Sequence, residues 1–309
     1  MWLAAPLAIA RPAQGTQRTA PDMKPWPALE TQVRLDRAGF SPGEIDGVSG
    51  ANTARAQAAL RKARRPLGTE PREVVVPHVI TAEEVAGPFT ESIPQDMLEQ
   101  AKLPALNYTS PLEALAERFH CSPALLQKLN PGAQFAAGET IVVPNVVVLD
   151  MPAPAADSAR GARAQTPPPT PGGNVKVIVS KSASSLTVVD DKGTVILDAP
   201  VTSGSQHDPL PIGNWAVTTV SWRPTFHYNP DLFWDANPAH SKADILPGPN
   251  NPVGLVWIDL TKENYGIHGT SEPGQIGHTS SHGCVRLTNW DAVHVASLVR
   301  KGTPVVFKR

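Results

Sequence analysis

The sequence is poor in cysteine, with only Cys121 and Cys284 among 309 residues. Two thiols cannot build the disulfide framework of a small secreted domain. Pairing them with each other would use up Cys284, which lies in the distinctive stretch GHTSSHGCVRLT at 277–288. We therefore expect both cysteines to be free. For Cys121, between two predicted helices, we expect a small buried side chain and no reactive role.

The sequence also lacks a marked net charge, which is formally -1. A near-neutral chain gives no electrostatic reason to bind a polyanion. We interpret the basic run at 61–65 as the solvated end of a helix. Beyond the N-terminus no stretch reaches the roughly 20 consecutive apolar residues that span a bilayer. Neither nucleic acid nor a membrane-spanning segment is therefore expected.

The N-terminal segment, residues 1–27, opens with MWLAAPLAIARPA. It has an apolar stretch and a cleavage-like Ala8-Ile9-Ala10, but no basic residue precedes Arg11. A remnant signal peptide and a disordered apolar terminus both fit this pattern.

Proline is abundant, with 33 residues, and it indicates long connections. Residues 148–173, which include MPAPAADSARGARAQTPPPTPGG, cannot bury much apolar surface and are predicted to form a semi-extended linker. After the linker, strand-like segments follow one another at 175–179, 186–190, 194–199, 215–220 and 253–260. One late helix has Thr288 as its N-cap and Asp291 at the third helical position. Residues 174–309 are therefore predicted to be a mainly-β domain.

Residues 28–66 carry two helical patterns separated by Ser41-Pro42-Gly43 and Asp46-Gly47. The stretch RAGFSPGEIDGVSGANTARAQAAL resembles the small helical peptidoglycan-binding domain, in which A-G-F, a D-G turn and a Thr that opens the next helix recur. A generic helical hairpin is the alternative interpretation.

Residues 106–147 contain two short amphipathic helices, the turn Asn130-Pro131-Gly132 and a strand at 140–143. The features A-E-R-F, L-N-P and I-V-V-P resemble the LysM carbohydrate-binding module. The fold class predicted for the whole chain is thus multidomain: a helical module, a LysM-like α+β module and a mainly-β domain.

The chemistry of the sequence centres on Cys284. A thiol becomes a nucleophile when a base or cation lies near it, and histidine is the natural base near neutral pH. His282 is close in sequence, whereas His268 ends a strand-like segment that a returning loop could bring opposite the cysteine. Gly283 lets the backbone turn and leaves amides free for an oxyanion, while Arg286 offers a planar fork for a carboxylate or carbonyl group.

Two other interpretations of this cluster stay open on residue types alone. Cys284 could be a buried structural thiol. Alternatively, His268, His278, His282 and Cys284 could bind zinc, although the single residue between the last two is a poor spacing for tetrahedral chelation.

The segment IHGTSEPGQIGHTSSHGCVRLTNWDA resembles the signature of the L,D-transpeptidases of the YkuD family, a histidine-glycine pair followed by S-H-G-C-x-R. The likeness extends to HYNPDLFWDA and GPNNPVGLVWIDL, and PLPIG at 209–213 replaces the family's usual P-T-P-x-G. The resemblance implies a β-sandwich catalytic domain that needs no metal or organic cofactor. By position it makes Cys284 the nucleophile, His268 the base and Gly269 the residue whose carbonyl orients the imidazole. It also implies that the amides of His282, Gly283 and Cys284 bind the oxyanion and that Arg286 helps to hold the substrate, with Ser281 of the same motif among the substrate-binding residues. The aromatic residues upstream could line the acyl-donor cleft or could simply pack together, and both interpretations stay open: Trp222, Tyr228, Phe233 and Trp234.

The function implied is an exported, periplasmic or wall-associated cysteine acyltransferase that acts on peptidoglycan. The cysteine would attack a tetrapeptide stem, release D-alanine and pass the acyl group to an amine acceptor, either a neighbouring stem or a wall-anchored lipoprotein. The partners implied are peptidoglycan stem peptides and glycan, and the N-terminal modules would raise the local concentration of stems around the catalytic domain. An L,D-carboxypeptidase with the same Cys-His site, which uses water as acceptor, and a non-catalytic wall-binding protein are the alternatives.

Overall fold

The computed structural model describes residues 26–149 and 174–309. The predicted N-terminal segment and the predicted linker therefore lie almost wholly outside the described residues. Within the two described ranges, no helix combines the length and apolar character needed to cross a bilayer.

The first unit is a helical hairpin of α1 (Pro27–Arg37) and α2 (Ala51–Lys62). Pro27 begins α1 at a position where its missing N–H costs no hydrogen bond. Gly39, with φ +80°, ends the first helix in a backbone conformation that side chains rarely adopt. The two helices predicted from the sequence are thus present, and they share a small apolar cluster of Leu35, Phe40, Ala56 and Leu60.

The second unit, which we call the βααβ unit, pairs two strands around two main helices. Serine side chains cap both main helices, since Ser110 accepts from the N–H of Glu113 and Ser122 accepts from that of Leu125. The elements are β1 (Val75–Val79), α3 (Met97–Gln100), α4 (Pro111–Arg118), α5 (Pro123–Leu129) and β2 (Thr140–Pro144).

In this unit β1 and β2 are antiparallel, with Val76 opposite Val143. The partner of the predicted strand thus lies outside the expected bounds of 106–147, and the folded unit begins near residue 75. The sequence pattern did not predict β1 because Pro77 lies in its middle, and a proline within a run of apolar residues argues against a strand unless the strand is at the edge of a sheet. Cys121 is buried in the core of the unit, 2% exposed, as expected.

The domain that follows is mainly β, as predicted, and one helix covers part of its core. The N-cap predicted for this helix is confirmed, since Thr288 accepts from the N–H of Asp291. The elements are β3 (Val175–Ser180), β4 (Ser185–Asp190), β5 (Val195–Pro200), β6 (Thr202–Ser203), β7 (Gly213–Trp222), β8 (Phe226–Tyr228), β9 (Ala243–Ile245), β10 (Val256–Leu260), β11 (Gly266–His268), β12 (Val285–Arg286), α6 (Asn289–Leu298) and β13 (Pro304–Lys308).

Nine strands hydrogen-bond in the order β5-β4-β3-β13-β7-β10-β11-β12-β6. The long strand β7 belongs to both halves of this sheet, because residues 213–216 pair with β13 and residues 217–222 pair with β10. Side chains from both halves and from α6 form one core, which includes Val177, Val188, Ile258, Ile267 and Val295. The strands β11 and β12, which carry the predicted catalytic motifs, lie near one edge of the sheet.

The helical hairpin docks against the β domain through a short backbone bridge. The N–H of Ser41 donates to the carbonyl of Asp198 at 2.7 Å, and the N–H of Asp198 donates to the carbonyl of Gly39 at 2.9 Å. Arg55 forms an ion pair with Asp198 at 3.0 Å, with side chains 15% and 5% exposed, and it also donates to the carbonyl of Ser41. The hairpin is thus joined to the β domain by a largely buried polar contact.

We expect Arg55→Ala to lower the free energy of unfolding by about 3 kcal/mol, because it leaves the buried carboxylate of Asp198 without its cation. Urea unfolding followed by tryptophan fluorescence measures the change. The matched control is Arg61→Ala on the exposed face of the same helix, with an expected change of under about 0.5 kcal/mol. Equal losses in the two variants would contradict the importance of this contact.

Candidate active site

The predicted catalytic segments meet because β11 and β12 are parallel neighbours. His268 is the register partner of Arg286, and the N–H of Leu287 donates to the carbonyl of His268 at 2.8 Å. Cys284 immediately precedes β12 and has the same parity as Arg286, so its side chain is on the same face of the sheet. The register therefore brings the cysteine, the histidine and the arginine to one surface.

The imidazole of His268 is held on two sides. It is 3% exposed and stacks on Trp257, with ring centroids 5.2 Å apart and an interplanar angle of 19°. Its Nδ1 lies 2.7 Å from the carbonyl oxygen of Gly269. Because a carbonyl can only accept, Nδ1 must carry the proton, which leaves the lone pair of the neutral ring on Nε2. His268 is thus built to accept a proton at Nε2.

The pKa of His268 is lowered from 6.5 to about 3. Burial of the ring is the main cause, the positive charge of Arg286 adds to it, and the hydrogen bond to Gly269 opposes it. The imidazole is therefore neutral at physiological pH.

Cys284 is a partly exposed free thiol, and its Sγ lies 3.9 Å from the carbonyl oxygen of Asn264. Burial raises its pKa, while the N–H of Gly266 and the charge of Arg286 work against that rise. A thiol with a raised pKa and an imidazole with a lowered pKa form a neutral pair at rest. Such a pair can act by transferring the thiol proton as the sulfur attacks.

Gly283 gives the cysteine loop its sharp turn. Its φ is +106°, and a Cβ added there would lie 2.6 Å from Cε1 of Tyr265. A side chain at 283 would therefore be strained by its backbone angle and would also collide with the tyrosine ring. The position requires glycine for two independent reasons.

The backbone around Cys284 leaves donors free. In the described ranges, no backbone hydrogen bond uses the N–H of His282, Gly283 or Cys284. Ser281, which was expected to bind substrate, is buried at 2% exposure; its Oγ donates to the carbonyl of Cys284 at 2.5 Å and accepts from the N–H of Gly204 at 2.8 Å. Its hydroxyl holds the cysteine loop, and its contact with substrate stays a prediction.

The other predicted substrate-binding side chains have different surroundings. His282 pairs through Nε2 with Oδ1 of Asp235 at 2.7 Å. Among the described residues, the buried Nε of Arg286 has no hydrogen-bond partner. Burial lowers the pKa of Arg286 without removing its charge. Tyr228 is 4% exposed in a separate apolar cluster, and its hydroxyl lies 3.0 Å from Nδ1 of His240. These contacts agree with the packing interpretation of Tyr228, and its contact with substrate stays a prediction.

The alternative zinc site does not assemble. Nδ1 of His268 and Nε2 of His282 face different oxygen partners, and His278 is exposed. Across 26–149 and 174–309, no group of three or more histidine, cysteine or acidic side chains could hold a metal ion.

Sequence reasoning missed three side chains that shape this site. Trp257 stacks on His268, Tyr265 covers Gly283, and Asn289 accepts from the N–H of Thr270 at 3.2 Å through Oδ1. A signal existed for Asn289, which directly follows the N-cap Thr288 in the motif region. The two aromatic residues carry no comparable signal, because their roles depend on strand register.

Comparison with known proteins identifies the family of the β domain. Residues 174–307 match the model of the YkuD L,D-transpeptidase catalytic domain. The chain is 32% identical over 145 residues to the L,D-transpeptidase YqjB of Bacillus subtilis, a match covering 45% of this chain and 73% of that protein. It is 25% identical over 197 residues to the L,D-transpeptidase YkuD of Bacillus licheniformis, covering 63% of this chain and 91% of that protein.

Among solved structures, an L,D-transpeptidase from Mycobacterium smegmatis is similar with a TM-score of 0.37 and 20% identity, over 45% of this chain and 60% of that one. On the family model and the sequence relatives, the chain belongs to the YkuD family of L,D-transpeptidases, enzymes that act on peptidoglycan stem peptides.

The low pKa of His268 predicts a specific loss of stability in acid. Its folded pKa of about 3 lies below the unfolded 6.5, so the stability that its neutral ring contributes is complete above pH 6.5 and is lost progressively towards pH 3. Between neutral pH and about pH 5, the wild type should therefore lose about 2 kcal/mol more unfolding free energy than His268→Gln. Denaturant unfolding of both proteins at several pH values measures this, and parallel pH profiles would contradict it.

The geometry of Gly283 predicts that Gly283→Ala lowers kcat/KM by about 100-fold, because the cysteine loop must move away from Tyr265. The measurement is the rate of D-alanine release from a tetrapeptide stem. Gly302→Ala is the matched control: Gly302 also has a positive φ, +87°, but nothing lies within 4 Å of its added Cβ. The control should keep its activity within about twofold of the wild type, and a similar loss in both variants would show that backbone strain alone accounts for the effect.

Proposed function

We propose that this L,D-transpeptidase works through Cys284 and His268. As Sγ of Cys284 attacks the carbonyl carbon after the third residue of a tetrapeptide stem, the thiol proton passes to Nε2 of His268. The tetrahedral intermediate then collapses, the bond to the terminal D-alanine breaks, and the imidazolium gives its proton to the leaving amine. The stem peptide is left as a thioester on Cys284.

In the second half of the reaction, an amine acceptor attacks the thioester carbonyl. We propose the side-chain amine of a diaminopimelate residue on a neighbouring stem, or an amine of a wall-anchored lipoprotein. His268 takes a proton from the attacking amine and returns it to the departing sulfur. A new amide bond replaces the thioester, and the enzyme regains its thiol.

The free N–H groups of His282, Gly283 and Cys284 are suited to stabilise the oxyanion of both tetrahedral intermediates. Arg286, on the same face and with an unpaired Nε, is suited to hold a stem carboxylate or carbonyl group. Both roles use donors that have no partner within the part of the chain that the structure describes.

One observation carries the proposal: the Nδ1–H of His268 is bonded to the carbonyl of Gly269 at 2.7 Å, so the lone pair of the neutral ring lies on Nε2, and the register partner of His268 is Arg286, two residues after Cys284. In this proposal Cys284 is the nucleophile, His268 is the base and the carbonyl of Gly269 orients the base, as in other Cys-His acyl-transfer sites.

We propose further that the enzyme acts outside the cytoplasmic membrane, where cross-linked peptidoglycan lies. The helical hairpin and the βααβ unit, which resemble peptidoglycan-binding and LysM modules, would hold the wall close to the catalytic domain and raise the local concentration of stems.

The test is mass spectrometry of muropeptides after incubation with the full chain. The wild type should release D-alanine and form a cross-linked dimer, and Cys284→Ala should form neither product. The matched control is Cys121→Ala, which removes the other thiol and should leave the products unchanged, since burial keeps that thiol protonated. Product formation by Cys284→Ala would refute the cysteine mechanism, and D-alanine release without any dimer would identify a carboxypeptidase.

A further inference from the structure

A buried carboxyl group of the βααβ unit reaches into the catalytic domain. Glu117, on α4, is 8% exposed. Tyr108 donates to its Oε1 at 2.8 Å, and Nδ2 of Asn289 lies 3.0 and 3.2 Å from its two oxygens. Glu117 and Asn289 are 172 positions apart and belong to different units. This contact therefore joins an accessory unit to the first turn of α6 in the catalytic domain.

The side-chain oxygen of Asn289 binds the backbone that follows the proposed catalytic histidine. Its Oδ1 accepts from the N–H of Thr270 at 3.2 Å and from the N–H of Leu255 at 3.0 Å. A Cβ added to Gly269 would lie 2.1 Å from this oxygen, so the amide packs directly against the turn. Nδ2 donates to Glu117 and also to the carbonyl of Pro249 at 3.2 Å, while Oδ1 accepts from the backbone. The shorter contact with Glu117 therefore helps to fix which way the amide faces.

The turn held by Asn289 is the one that orients the imidazole, since the carbonyl of Gly269 accepts from Nδ1 of His268 at 2.7 Å. A continuous path of hydrogen bonds and close packing thus runs from Glu117 through Asn289 and the Gly269–Thr270 turn to His268. We propose that Glu117 is a positioning residue for the transpeptidase reaction, so that the βααβ unit completes the catalytic site. This inference rests on the proposed role of His268 as the base.

The competing explanation is that Glu117 only joins the two units. Glu113, one turn earlier on α4, provides the matched control, because its Oε1 accepts from Nδ2 of Asn250 at 2.9 Å across the same interface. Glu113 has no hydrogen bond to Asn289. A variant at 113 therefore disturbs the interface without touching the path to His268.

Three substitutions at Glu117 separate the effect of side-chain length from the effect of the carboxyl group. Glu117→Leu removes the acceptor, and Glu117→Asp keeps the carboxyl group but shortens its reach to Asn289. Glu117→Gln keeps an oxygen for Tyr108 and Asn289; burial raises the pKa of Glu117 to about 8, so a neutral amide is a close substitute for the carboxyl group near neutral pH.

The experiment compares these variants and Glu113→Leu in the full chain by two readouts. Steady-state release of D-alanine gives kcat and KM, and proton NMR detects the Nδ1–H of His268, assigned with His268→Gln. Glu117→Leu and Glu117→Asp should lower kcat by about 10- to 100-fold with KM nearly unchanged, and the Nδ1–H resonance should broaden or shift. Glu117→Gln and Glu113→Leu should stay within about threefold of wild-type kcat and keep the resonance.

Equal losses in Glu113→Leu and Glu117→Leu, or an unchanged Nδ1–H resonance in both Glu117→Leu and Glu117→Asp, would overturn the inference. The NMR readout needs no turnover, so it reports on positioning even if Cys284→Ala proves active and the cysteine mechanism fails. If Glu117→Leu does not fold, the comparison of Glu117→Asp with Glu117→Gln decides the question, because both keep a polar side chain at 117.

Discussion

The hydrogen bond from Nδ1 of His268 to the carbonyl of Gly269 is the constraint on which the site depends. It fixes the tautomer and leaves the lone pair of the neutral ring on Nε2, the nitrogen that takes the thiol proton in the proposed mechanism. Burial keeps the ring neutral and the thiol protonated, so no preformed ion pair is needed at rest. In the proposed mechanism, charge develops only as the sulfur attacks.

The surrounding fold keeps this geometry in place from several directions. Parallel pairing of β11 with β12 makes His268 the register partner of Arg286, two residues after Cys284. Ser281 bonds the cysteine loop to Gly204, and Asn289 holds the turn beyond the histidine. The helical hairpin reaches the same region, since Asn52 donates to the carbonyl of Ile276 at 2.8 Å, within the segment between the two catalytic motifs. The described accessory units are packed parts of one structure with the catalytic domain.

The sequence was informative where structure depends on neighbouring residues. The motifs around His268 and Cys284, the N-cap of α6 and the main strands all leave local patterns, and the structure has these elements where they were expected. Contacts between distant segments leave no such pattern: the pair of Glu117 and Asn289 cannot be read from either segment alone. The sequence also left two interpretations of Tyr228 open, because an aromatic residue upstream of the motifs fits a substrate contact as well as it fits packing; its burial is visible only in the fold.

The most direct test of the account is to trap the intermediate. The full chain would be mixed with a tetrapeptide donor in the absence of an amine acceptor, quenched in acid and mapped by peptide mass spectrometry. The account predicts that the peptide containing Cys284 gains the mass of the stem without its terminal D-alanine, and that hydroxylamine removes this added mass. An adduct on another residue, or D-alanine release with no adduct at any time point, would contradict the central claim that the sulfur of Cys284 carries the acyl group.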